Sequence, residues 1–254
     1  AGNVLAVDVF KVDTDSDTRT IDSNGVSVTL ERAVSQGKKY AIVVCNMMTT
    51  MFGSVDDIQA YTDALKNTDL EFKVHVDGAY GGFYYPFSNE QSELNFSNPN
   101  VSSVTLDAHK MAQAPYGTGI FLARKGLIQY ANTREASYVE GEDFTLIGSR
   151  SGANAIGAWM ILVKHGPFGC EEKVFILQKR TDWMCGELKK LGIDHYRHPH
   201  SNIITIRSSF VSNDIAEKFG LVPDNHEDPS WYKIVVMEHV TIEKLSALIE
   251  HLAG

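Results

Sequence analysis

The chain has 254 residues, 43% hydrophobic and 22% charged, with a formal net charge of −9; that is enough apolar mass for one large domain, or a large domain with a small appendage. An acidic balance without any lysine- or arginine-rich run argues against nucleic acid or anionic membrane as a partner. The longest strongly apolar stretches, "AIVVC" and "AIGAWMILV", are far too short to span a bilayer.

In chain order, "AGNVLAVDVF" starts without methionine and runs into strand-like alternation over residues 4–12, which end at the turn-rich "DTDSDTRT". Residues 22–36 read as a turn and a short helix. "YAIVVC" (40–45) is a continuous apolar run, the pattern of a strand buried on both faces. "VDDIQAYTDALKNT" has acids in its first turn and helical apolar spacing. In "EFKVHVDGA" (71–79), Phe72, Val74 and Val76 share one face and Lys73, His75 and Asp77 the other. Strand, helix, strand in so short a span predicts a parallel βαβ unit.

"VSSVTL" (101–106) and "GIFLAR" (119–124) are further strands. "SGANAIGAWMILVKHG" (151–166) predicts a helix buried nearly all round, and a long helix follows over about 170–191. Past residue 195 the rhythm of "NIITIR", "SNDIAEKFG", "YKIVVME" and "TIEKLSALIEHLA" predicts a small α+β domain with its own sheet. "RHPHSN" is the expected linker. The division is 1–194 for a large α/β domain and 195–254 for a small one.

In parallel α/β sheets ligands sit beyond the carboxyl ends of the strands. Asp77 ends one predicted strand, Lys110 lies just past another, and Thr49 and Thr50 follow a third. With adjacent strands about 4.8 Å apart and alternate ones about 10 Å, a small aromatic cofactor fits with one edge on the acid and the other on the amine. Pyridoxal phosphate is the specific candidate: its aldehyde forms a Schiff base with a lysine, and an acid keeps its pyridine nitrogen protonated. Ala79 is small enough to let a ring lie flat nearby.

"HVDGAYGG" (75–82), "TLDAHKM" with the following "APYGTGIFLAR", "TTMFGSVDDI" and "GSRSG" before a small-residue helix resemble, in this order and over nearly the whole chain, the group II pyridoxal-dependent amino-acid decarboxylases, most closely their tyrosine/aspartate branch. The resemblance implies a fold type I α/β architecture, with a mostly parallel central sheet flanked by helices and a small C-terminal α+β domain. It also implies a homodimer with the active site at the subunit interface, acting on an L-amino acid as small-molecule substrate, with tyrosine, aspartate and glutamate all open. A cytoplasmic setting is expected from the cysteines.

Carried over by motif, Lys110 holds the cofactor, Asp77 pairs with its pyridine nitrogen and Ala79 packs on the ring. His109 helps hold the phosphate and Thr49 lines the pocket. Arg150 is a candidate for a substrate carboxylate or a subunit contact. Tyr138, in the polar loop 130–143, is a candidate proton donor, set against the plainer reading of an exposed loop tyrosine. Three departures stand out. Met48 occupies a usual glycine position, Gly78 a usual alanine, and the family's ring-stacking histidine and main phosphate residues lie upstream of what corresponds to Ala1. The chain is therefore expected to be a fragment or one of two chains, with a separate N-terminal piece as a partner.

Other reactive residues have plainer readings. Cys45, Cys170 and Cys185 are odd in number and widely spaced, as suits reduced, unreactive thiols. His195, His198 and His200 have no acid or cysteine at ligand spacing, so no metal is expected. His75 is expected to be hydrogen-bonded, and Tyr80, Tyr84 and Tyr85 to pack near the site. The rivals are a carbon–carbon lyase of the sphingosine-phosphate-lyase type and a truncated, non-catalytic dimerisation module.

Overall fold

A computed structural model describes residues 2–131 and 149–254. The chain opens with one helical turn, α1 (Gly2–Leu5), and continues without regular structure to an isolated bridge between Thr14 and Ile21. The strand-like alternation of residues 4–12 is not realised. Leu5, Val7 and Val9 are exposed, and alternation yields a strand only where a neighbour takes up the backbone hydrogen bonds; no strand pairs with this segment among the described residues.

Helix α2 (Ser23–Ser35) begins where the Asp22 side chain accepts the Asn24 N–H at 3.0 Å. The expected βαβ unit follows as β1 (Tyr40–Asn46), α3 (Ile58–Lys66) and β2 (Glu71–Asp77), with β1 and β2 parallel and paired from Tyr40–Glu71 to Asn46–Asp77. Asp57 caps α3 by accepting the Gln59 N–H at 2.8 Å, a contact worth ~1 kcal/mol. A short helix α4 (Tyr85–Ser88) leads to β3 (Val101–Asp107), parallel to β2, and to β4 (Gly119–Ala123), antiparallel to β3. The strand order is β1-β2-β3-β4, a mostly parallel sheet as expected.

One face of this sheet, carrying Val43, Cys45, Val74 and Val76, packs on Ile58 and Leu65 of α3. The other face is open. Tyr40 and Ile42 are each 73% exposed, and Val44 and Phe121 are exposed beside them, so β1 is not buried on both faces as its apolar run predicts.

Helix α5 (Gly152–Lys190) is two helices end to end, broken at Gly166 (φ 58°, ψ −173°) before Pro167. Glycine alone tolerates that backbone, and proline cannot donate to the turn before it. The first half is not buried all round: Ala158 is buried, but Ile156, Trp159, Met160, Leu162 and Val163 are exposed. In the second half Val174 and Leu177 join the first core, and Met184 and Leu188 join a second one. Spacing of three and four residues sets all four on one helix face, so this half-helix ties the two cores together.

The second core lies under a four-stranded antiparallel sheet. Its elements are β5 (His195–Tyr196), β6 (Ile203–Arg207), α6 (Asn213–Phe219), β7 (Val222–Pro223), β8 (Trp231–Val235) and α7 (Ile242–Leu252), in sheet order β5-β6-β8-β7. Ile204, Ile206, Ile234, Leu245 and Leu248 fill it. The "RHPHSN" segment is not a solvated linker. Ser201 and Asn202 are fully buried, Arg197 ion-pairs with Asp182, and His200 Nδ1 lies 2.7 Å from Ser88 O. Polar side chains are buried here because most of their groups find fixed partners, as Arg197 Nε does at Ser201 O and Asn202 Nδ2 at Val236 O. No helix among the described residues is long and apolar enough to cross a membrane.

Candidate active site

Asp77 is the last residue of β2, and the register aligns it with Asn46 of β1 and Thr105 of β3. Its Oδ1 accepts the Ala79 N–H at 3.1 Å, an Asx-type turn that orients the carboxylate. The backbone around it is stitched to both neighbours. Met47 N–H donates to Asp77 O at 2.9 Å, Gly78 N–H to Thr105 O at 2.9 Å, and Asp107 N–H to Ala79 O at 3.1 Å. Glycine is needed at 81, where a Cβ would lie 2.2 Å from the backbone oxygen of Met47; one on Gly82 would lie 2.0 Å from Leu106 Cδ2, a side-chain tip that would have to move. At Gly78 the distance to Thr105 O would be 3.1 Å, which an alanine meets with a small adjustment, so that departure from the family pattern is mild.

Lys110 lies on the next turn, after β3. Its Nζ is 2.9 Å from Asp107 Oδ2, the amine 39% and the carboxylate 21% exposed. A pair this open to solvent is worth under about 1 kcal/mol, so it parks the amine without locking it. His109 Nδ1 lies 3.3 Å from Thr118 O, which makes Nδ1 the donor and leaves Nε2 the acceptor in the neutral ring; Tyr116 packs edge-on against it. Thr49 follows β1 at the same end of the sheet, Oγ1 2.7 Å from Ser54 Oγ, and its loop is closed by Thr49 N–H donating to Ser54 O at 2.8 Å. Met48 beside it has φ 69°. That is the left-handed backbone region, which glycine adopts without the strain a methionine bears there.

The structure therefore brings Asp77, Ala79, His109, Lys110 and Thr49 to the carboxyl ends of three adjacent strands. Arg150 is exposed ahead of α5, whose start is tied to the His109 side by Asn154 Nδ2 donating to Tyr116 O at 3.0 Å. Tyr138 lies outside the described residues. His75, on the open face with Asp77, lies between Ser103 Oγ (2.9 Å from Nδ1) and Thr105 Oγ1 (3.2 Å from Nε2), its ring stacked on Phe121. Burial holds its pKa below the ordinary value against the opposing charge of Asp77, as fits a hydrogen-bonded, neutral imidazole. Tyr80 hydrogen-bonds Asn202 and Tyr84 is fully buried, so both pack as expected. The three thiols are free, and burial pushes Cys45 up to about 12 and Cys185 up to about 11.

Asp107 escaped the sequence reading, although an acid three residues before the lysine in "LDAHK" is a visible signal. A separate, partly open cleft of about 30 Å³ is lined by Phe83, Met111, Ile161, Val174, Leu177 and Met237 among others. None of Asp77, His109 or Lys110 lines it.

A family model, the pyridoxal-dependent decarboxylase conserved domain, matches residues 1–178. The chain belongs to that family. A tryptophan decarboxylase of Clostridium sporogenes is 50% identical over 248 residues, 97% of this chain and 60% of that protein. A probable L-tyrosine/L-aspartate decarboxylase of Methanosarcina acetivorans is 28% identical over 208 residues, 80% of this chain and 52% of that protein. The fold is shared with the sphingosine-1-phosphate lyase of Burkholderia pseudomallei (TM-score 0.81, 19% identity, 99% of this chain and 60% of that one). It is shared also with the glutamate decarboxylase of Lactobacillus brevis (TM-score 0.79, 21% identity, 99% and 61%). These likenesses bear out the fold type I expectation. The chain spans between half and three-fifths of the length of these curated relatives.

Pyridoxal phosphate is the cofactor of this family, and the residues present fit it. A carboxylate held by one backbone N–H, a small residue two positions on, and an amine restrained only by a weak ion pair converge at the end of β2 and β3.

Proposed function

We propose that the chain is the greater part of an enzyme that removes the α-carboxylate of an L-amino acid to give the amine and CO₂. One observation carries the reading: Asp77 and Lys110 sit on adjacent turns joined by the Asp107 N–H to Ala79 O hydrogen bond. When bound, pyridoxal phosphate supplies the sink for the electron pair left at Cα as CO₂ departs. In this reading Asp77 keeps the proton on the pyridine nitrogen, because a carboxylate beside that atom favours its charged form. Lys110 anchors the cofactor, and Asp107 holds the ammonium at Nζ whenever the amine is released. Ala79 leaves room for the ring face, His109 and the Thr49 loop border the phosphate end, Arg150 receives a carboxylate, and Tyr138 delivers the proton to Cα.

The identity to a tryptophan decarboxylase supports an aromatic L-amino acid as substrate, with tryptophan first. Tyr40 and Ile42 on the open sheet face and Trp159 and Phe168 on the first half of α5 and its break, all exposed, support a homodimer in which a second copy, or a separate N-terminal piece, covers apolar surface. The two sheets support a division at residues 194 and 195, and the three free thiols a cytoplasmic setting.

The test is to add pyridoxal phosphate, reduce with borohydride and map the label, then to assay amine and CO₂ from tryptophan. Label on Lys110 with both products supports the reading. An aldehyde among the products makes the chain a carbon–carbon lyase, and absence of label in every assembly makes it a non-catalytic module.

A further inference from the structure

Asn202 lies just before β6, 122 residues from Tyr80 and 91 from Met111 in sequence, yet its amide touches both. The side chain is fully buried. Its Nδ2 donates to Val236 O at 2.9 Å and to the Tyr80 hydroxyl at 2.9 Å, with Met111 Sδ at 3.9 Å. The Tyr80 hydroxyl lies 3.1 Å from Asn202 Oδ1 and 3.5 Å from Met237 Sδ. Asn202 O also accepts the Val236 N–H at 2.9 Å, so Val236, just past β8, holds Asn202 by both its backbone and its side chain.

The two residues it reaches are not arbitrary. Tyr80 belongs to the turn that begins at Asp77, and Met111 is the neighbour of Lys110. The Tyr80 turn is held to β1 and β3 by Met47 N–H to Asp77 O, Gly78 N–H to Thr105 O and Asp107 N–H to Ala79 O, and the Tyr80–Asn202 bond adds its hydrogen-bonded tie to the second sheet. Val236 O and the Tyr80 hydroxyl take both amide protons, and a buried amide is costly to leave unpaired, so the arrangement holds only while the Tyr80 turn stays in register with the second sheet. Met111 Sδ packs on the same amide.

We propose that Asn202 is a positioning residue for the Asp77–Lys110 pair, tying the turn after β2 to the second sheet by a hydrogen bond and backing the turn after β3 through its packing on Met111. The inference rests on the decarboxylase reading for its consequence in catalysis, but its geometric content does not. A site assembled from two turns is sensitive to displacements of about 1 Å, and Asn202 sets their mutual position without touching substrate.

The experiment compares Asn202→Leu, which keeps the volume and removes every hydrogen bond, with Tyr80→Phe, which removes the bond from the other end. Ile204→Val serves as a control, buried in the second core and absent from either turn. Hydrogen exchange of peptides covering 78–82 and 108–114, measured on the full chain without cofactor, should quicken at least tenfold in Asn202→Leu. It should quicken in the first of these peptides in Tyr80→Phe, and match wild type in Ile204→Val. In the cofactor-loaded protein kcat should fall tenfold or more in Asn202→Leu while KM stays within twofold. Unchanged exchange in both turns, or a loss of stability with kcat intact, overturns the inference. If Asn202→Leu does not fold, Tyr80→Phe alone decides by the same readouts. Failure of wild type to take label at Lys110 counts against the decarboxylase reading instead, and the exchange result still stands or falls by itself.

Discussion

Replacing Gly81 by alanine tests how tightly the acid-bearing turn is pressed against β1. The new Cβ would lie 2.2 Å from Met47 O and 2.8 Å from Met47 C, whereas ordinary van der Waals contact of a Cβ begins at about 3.4 Å. Either the turn or the end of β1 must retreat by about 1 Å, and neither is a flexible side-chain tip. Met47 N–H donates to Asp77 O, so the retreat strains the bond that fixes Asp77. Overpacking of this kind destabilises by about 1–3 kcal/mol, a fall in Tm of roughly 2–10 °C for a chain this long. A displacement near 1 Å at a reacting pair lowers turnover by about 100-fold. Thermal unfolding of Gly81→Ala and of Gly186→Ala provides the comparison. Gly186 sits in the second half of α5 with nothing within 4 Å of its would-be Cβ, so alanine there should stabilise by about 0.5–1 kcal/mol. A Gly81→Ala protein as stable and as active as wild type would refute the packing argument.

Three further outcomes are expected. Arg124 donates from Nε to Val101 O at 2.6 Å and from Nη2 to Phe96 O at 3.0 Å and Asn98 O at 2.6 Å, so Arg124→Met should destabilise by about 2–3 kcal/mol in urea, and Arg124→Lys, lacking the planar fork, should recover little of it. Burial, with the charges of His200 and Arg197, lowers His198 to about 4. Between pH 6.5 and about 4 the unfolded chain binds a proton that the folded chain refuses, so stability falls as pH drops through that window, by roughly 1–2 kcal/mol after solvent screening, and His198→Gln should flatten the slope. Burial raises the Asp56 carboxyl despite the hydrogen bonds from Asn46 N–H and Nδ2 to its Oδ2, both 2.7 Å. Stability is thus lost as pH rises from the ordinary carboxylate range through the folded value, and Asp56→Asn, which can still accept both bonds, should equal or exceed wild type in urea at pH 7; a clear loss there would contradict the assignment.

The elements of the first sheet are legible because their signals are local. A capped helix after an apolar strand, as at Asp57–Ile58, and alternation leading to Asp77 need only a window of ten residues or so. The misreadings have a common cause. The apolar run at 40–45 and the small, apolar helix at 151–166 encode surfaces suited to burial on more than one side, and such a pattern does not say what supplies the cover. In the structure, Ile42 and Trp159 are 73% and 62% exposed. Alternation over residues 4–12 misled in the same way, since a strand is a property of a pair and the partner is not written in the segment itself.

The site divides along the same line. Asp77 and Lys110 stand out because each carries a charge just past a strand, and strand ends are where parallel sheets place their ligands. The pieces that set their geometry are of two kinds. Asp107, three residues from Lys110, was readable but is easily taken for the last polar residue of a strand. Asn202 was not readable, because "RHPHSN" has the composition of a surface segment and its buried partners, Tyr80 and Met111, are brought to it only by the packing of one sheet against the other. A polar residue becomes a core residue when long-range partners satisfy it. That is why the motifs disclosed the candidate acid and amine, while Asn202, proposed to position them, emerged only from the fold.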